Sequence, residues 1–195
     1  MLGWREIVTR SYATVTFDVD AKGVWTQTFT QCAIETDDGQ VSFPPAFINS
    51  IPPKVSTFSL DNGTYTADTG VAFIGVTHPV ASLPTDIDDP VVIDADDDGH
   101  PGVTVHLRLP LFGRVRLYMV QANHAVLTGR LERGELSGQA TMKRLETRTL
   151  GASASVFVAN PPVHVVEGAS TFRIVADPER RCRDRFTTPT KKKSR

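Results

Sequence analysis

The sequence predicts an all-β domain, an antiparallel β-barrel in preference to a β-sandwich. Roughly nine to eleven short segments alternate apolar with polar residues, the period of a half-buried strand. Turn signals of Gly, Pro, Asn and Asp recur about every eight to twelve residues, and no stretch carries a long helical period. Neighbouring segments are joined locally, as in a meander. Closing a meander into a barrel removes the exposed edges that a sandwich has to cover.

The elements follow in chain order. Residues 11–19 place Ala13, Val15, Phe17 and Val19 against Thr14, Thr16 and Asp18, a first strand that ends at Asp20-Ala-Lys-Gly23. Val24 to Glu35 reads as the second strand, with Trp25, Phe29 and Ile34 as its large apolar members, and Asp37-Asp-Gly39 turns the chain. Phe43 to Pro53 holds four prolines and four large apolar residues. Proline at both ends limits any helix to a short turn near Pro45–Ser50. Phe47, Ile48 and Ile51 are expected to plug one end of the barrel, with an exposed lid over a cavity as the alternative.

Strands are predicted over 54–60, 64–67 and 71–76, the first two joined by the tight-turn signal Asp61-Asn-Gly63. Residues 77–92 read as a polar excursion without core. Val103 to Leu109 alternates cleanly. Val115 to Val120 and Ala125 to Leu131 form two strands about a bend at Gln121–His124. A long strand over 138–149 changes phase near Arg144 or Leu145, a short one covers 156–159, and 170–176 is the last. The expected organisation is one domain, 1–186, with an acidic loop at 84–102, followed by a disordered basic tail at 187–195.

Composition limits the function classes. The chain has 195 residues, 40% of them hydrophobic, enough for one substantial core. The net charge of -1 creates no global field directed at nucleic acid or membrane. Charge is unevenly placed: residues 86–98 carry seven Asp and no base, whereas Arg180–Arg195 carry eight Lys or Arg against one Asp. No apolar run reaches the roughly 20 residues of a membrane-spanning helix.

The acidic stretch Asp94-Ala-Asp-Asp-Asp-Gly-His-Pro-Gly-Val-Thr-Val105 is the strongest chemical signal. Calcium takes oxygen ligands from alternating carboxylates, with glycine at the turn and a backbone carbonyl next to it. Asp94, Asp96 and Asp98 match the first three such positions, Gly99 the turn, and the His100 carbonyl the next ligand. The twelfth position is Val105, not a bidentate Glu, and a strand follows instead of a helix, so this is no EF-hand. Asp89, Asp88 or water would supply a missing ligand. A hydrated acidic surface is the competing reading, although carboxylates this dense repel one another without a counter-ion.

Cys32 and Cys182 are far apart and fit one disulfide tying the closing segment to the body, with two free buried thiols as the alternative. The five histidines lack metal-site spacing, and no nucleophile elbow, phosphate-binding glycine loop or paired-carboxylate motif stands out. A non-enzymatic domain is expected, with a hydrolase whose site escapes sequence reading as an alternative. Another alternative is a carrier of a small apolar ligand, which Trp25, Phe29 and Tyr118 would line and Phe47-Ile48-Ile51 would gate. The expected partner is a protein or such a ligand, and the expected state a monomer.

Several blocks resemble a family of uncharacterised secreted proteins and lipoproteins from myxobacteria and related bacteria. They are Cys32, Phe43-Pro-x-Ala-Phe-x-x-Ser-Ile-Pro-Pro53, Leu83-Pro-Thr-Asp-x-Asp-Asp-Pro90, Asp94-x-Asp-x-Asp-Gly-x-Pro-Gly-Val-Thr-Val105 and Cys182. The resemblance implies an extracytoplasmic location (periplasm, outer-membrane surface or secreted) if a longer precursor exists, because Met1-Leu-Gly-Trp-Arg-Glu has no export signal; otherwise the location is cytoplasmic. It implies no activity. The barrel expected here is lipocalin-like (calycin-like) by analogy of architecture only.

Overall fold

Alternating β-branched, aromatic and polar residues build nine strands and one short helix in a computed structural model that describes residues 6–110 and 112–176. The elements are β1 (Thr9–Val19), β2 (Trp25–Thr36), β3 (Val41–Ser42), α1 (Pro45–Ser50), β4 (Lys54–Asp61), β5 (Thr64–Ile74), β6 (Val103–Leu109), β7 (Gly113–Glu132), β8 (Glu135–Ala152) and β9 (Thr171–Val175). All named strand pairs are antiparallel.

β7 is the spine. One edge pairs with β8 from Leu117 to Glu132, and the other pairs with β6 near its start and β5 towards its end. From β5 the sheet continues through β4 and β2 to β1; from β6 it continues to β3, and from β8 to β9. The sheet curls into a nearly closed barrel. No ladder joins β1 to β9, so closure is incomplete among the described residues.

Three apolar clusters fill the body. Phe47 and Ile48 of α1 pack with Ile74, Val103 and Val105, so the proline-flanked helix is the plug and not an exposed lid. Tyr65, Ala67, Leu127 and Leu136 form a second cluster inside the curl, with Phe29, Phe58 and Phe172 against it. The third lies outside β7 and β8, where Val76 and Leu83 cover Val120, Ala122 and Leu150. Residues 77–92 therefore contribute core, contrary to the sequence expectation. Leu83 is buried, and Val80, Ile87, Val91 and Val92 are partly so, at spacings that follow neither strand nor helix.

Other boundaries differ in instructive ways. The two strands expected over 64–76 are one, β5, with a register shift between Asp68 and Val71. The two expected over 115–131 are also one, β7, and the bend near His124 is a shift opposite the phase change at Arg144. A bulge adds a residue and reverses the alternation without ending the strand. Residues 155–157 form a single 3-10 turn where a strand was expected, and β3 was not foreseen. The basic tail at 187–195 lies outside the described residues. Cys32 lies in β2, and Cys182, the other half of the bridge read from sequence, lies outside the described residues. No helix among the described residues is long and apolar enough to cross a membrane.

Candidate cation loop and barrel concavity

The acidic loop is closed at its neck by backbone bonds and rests on the barrel through Gly102. Asp94 and Gly102 form an isolated parallel bridge, the Ala95 N–H donates to the Gly102 carbonyl at 2.9 Å, and the Gly102 N–H donates to that of Ile93 at 2.7 Å. Gly102 lies at φ 85°, and a Cβ there would stand 2.4 Å from the Met119 carbonyl oxygen. Only glycine lets the loop rest directly on β7.

The carboxylates organise the turn between. Asp94 accepts from the N–H groups of Asp98 (3.2 Å) and Gly99 (2.8 Å). Asp98 accepts from the His100 N–H at 3.0 Å and from the Thr104 hydroxyl at 2.6 Å. Asp96 turns inward. One of its oxygens accepts from the Thr104 N–H at 2.8 Å, and the other, Oδ1, is buried with no hydrogen-bond partner. The residue is only 8% exposed.

One carboxylate oxygen from each of Asp94, Asp96 and Asp98 can be chosen so that all lie within 4.8 Å of one another. Burial pushes the Asp96 carboxyl above the ordinary aspartate range; the neighbouring charges of Asp98 and Asp94 add to this, and the Thr104 N–H opposes it. A divalent cation would give Oδ1 a partner and cancel the mutual repulsion.

The structure brings together three of the five residues expected as ligands. Asp89 spends one oxygen on the Val91 N–H at 3.0 Å. It borders a separate hollow of about 360 Å³ that it shares with Asp94, Gly99 and His100. The His100 ring stacks on Tyr118 with centroids 4.2 Å apart, which places the imidazole against the barrel wall. Thr104, which bonds both Asp96 and Asp98, went unmarked in the sequence because it reads as an ordinary strand residue.

The five residues expected around an apolar ligand do not converge. Trp25 and Phe29 line a concavity of about 3170 Å³ bounded by the curled sheet, Phe47 and Ile48 sit in the plug, and Tyr118 lies beneath His100. Phe58 joins the wall of the concavity. It touches Phe17, Trp25 and Tyr65 at centroid distances of 5.2, 5.8 and 5.6 Å, and Tyr65 continues the row to Phe172 at 5.8 Å. The Tyr65 hydroxyl donates to fully buried Gln27, which in turn donates to Ser56 Oγ at 3.1 Å. Burial pushes the Tyr65 phenol up to about 12, against the opposing bond to Gln27.

Compared with protein-family models, curated proteins and solved structures, the chain matches none.

Proposed function

We propose that the chain is a non-enzymatic β-barrel domain, structural or binding in role, whose 94–98 loop holds a calcium ion through Asp94, Asp96 and Asp98. The observation that carries this reading is Asp96 Oδ1, a buried acceptor without a partner beside two further carboxylates. A buried carboxylate left this way is costly unless something supplies the missing contact. The spacing leaves room for other ligands, for which the His100 carbonyl, Asp89 and water are the candidates.

Calorimetric titration with calcium, with thermal melts in calcium and in chelator, tests it. Saturable heat is expected, and at a hundredfold excess over Kd the fold should gain roughly 3 kcal/mol. Asp96→Asn removes one ligand charge and should weaken binding by about tenfold or more. In chelator the same variant should be no less stable than the parent, because it relieves repulsion. Absent heat, or equal losses in both conditions, would return the aspartates to the role of surface charge.

A second reading, carriage of a small apolar ligand, is favoured by one observation: the aromatic row of the concavity remains open at Trp25, which is 50% exposed. Apolar wall with a few buried polar groups is the usual make-up of a small-molecule site.

A further inference from the structure

The β6–β7 hairpin carries a charge pattern that the cation loop does not explain. Its register sets His106 opposite Arg116 and Arg108 opposite Arg114. Directly opposed residues, and residues two apart on one strand, share a face of the sheet. Four basic residues, one histidine and three arginines, therefore share one face.

Arg108, Arg114 and Arg116 are exposed, and none forms an ion pair among the described residues. Elsewhere in the sheet Arg130, Arg144 and Arg173 each have a carboxylate partner, in Glu132, Glu146 and Glu135. Like charges directly opposed weaken a strand pair, so the hairpin keeps this face at a cost. His106 registers the same field. Burial holds its imidazole below the ordinary histidine value, Arg114 and Arg116 depress it further, and Asp98 alone pulls the other way.

The turn closing the hairpin adds an apolar element. Phe112 is 65% exposed and meets Phe157 edge to face at 5.3 Å, beside Val156 at 79%. Two hydrogen bonds between Ser153 and Arg116, at 2.9 and 3.1 Å, anchor this segment to the start of β7. An exposed aromatic knob thus sits at the end of an unpaired basic face.

We propose that this end of the hairpin docks on an anionic phospholipid surface. Arg108, Arg114 and Arg116 meet headgroup phosphates, and Phe112 and Val156 enter the interfacial layer. Basic groups gain from the negative potential of such a surface, and aromatic side chains settle at headgroup depth. A soluble polyanion would engage the arginines and leave Phe112 and Val156 in water, so the two features together favour lipid. Three charges and one ring give a reversible, salt-sensitive association.

The test is co-sedimentation of the full chain, in chelator so that the cation loop takes no part. The vesicles are phosphatidylglycerol mixed with phosphatidylcholine, or phosphatidylcholine alone. Binding to the anionic vesicles is expected to be at least about tenfold tighter than to the neutral ones and to weaken with added salt. Arg114→Gln with Arg116→Gln should cost roughly tenfold and Phe112→Ser several-fold, whereas the charge-matched pair Arg10→Gln with Lys22→Gln should change little. Binding that ignores the Arg114 and Arg116 substitutions overturns the proposal and moves the contact to another basic segment. No binding to anionic vesicles also overturns it. Binding that Phe112→Ser leaves intact and inorganic pyrophosphate abolishes would replace the lipid surface with a soluble polyanion.

Discussion

The two sides of the barrel are built on the same alternating pattern and end up differently. Where β5, β6, β7 and β8 meet the plug and the excursion, the wall is covered, by α1 against Ile74, Val103 and Val105 within and by the 75–102 excursion against Val120, Ala122 and Leu150 without, and Val120 and Ala122 are wholly buried. Around β1, β2 and β4 the inner wall stays open to the concavity, and Phe17, Trp25 and Val55 remain exposed there. Alternation alone does not decide burial. What decides it is whether some non-repetitive segment crosses the strand, and both covering segments here are rich in proline.

Three experiments test this contrast. The largest effect is expected from truncation on the two sides. Phe47→Ala should lower stability by about 3–5 kcal/mol, since the plug cannot collapse around the void, whereas Trp25→Ala should cost about 1 kcal/mol or less. Chemical denaturation measures both, and equal losses would show the open side to be as well packed as the covered one.

Next comes Tyr65, where the open side is dry. A phenol whose folded value lies above its unfolded one keeps its proton in the fold between about 10 and about 12, a window in which the unfolded chain binds fewer protons. Stability therefore falls as pH rises through that window, by on the order of 2 kcal/mol. Tyr65→Phe should flatten this alkaline limb, and an unchanged limb would mean that another group carries it.

The smallest effect concerns Trp25. An apolar dye or fatty acid entering the concavity should change the tryptophan emission of the parent and not that of Trp25→Phe. Equal changes in the two would exclude the Trp25 wall as the binding surface.

Much of the barrel was legible in the sequence because strands of period two announce themselves. β6 was placed residue for residue, and β1, β2, β4 and β9 within about two residues of their ends. β5 and β7 were each read as two strands, because a bulge and a strand end look alike when only the alternation is visible. Of the acidic loop, Asp94, Asp96 and Asp98 were legible from ligand spacing. The inward turn of Asp96 and the double role of Thr104 were not, since both depend on how close Gly102 lets the loop come to Met119. Phe58, Tyr65 and Phe172 come from three strands and meet only after the sheet curls, so local sequence could not join them.

The spine has one more consequence. From Leu117 to Leu131 β7 has partners along both edges, while β1 and β9 each hold a single neighbour. Amide protons of Leu117–Leu131 are therefore expected to exchange slowest, and those of the two rims faster, by local fraying. The rims can part and rejoin while the spine stays shut. Under the carrier reading a guest would reach the concavity on the clock of the rims, and the acidic loop, moored beside Met119 at the spine, would not register its passage.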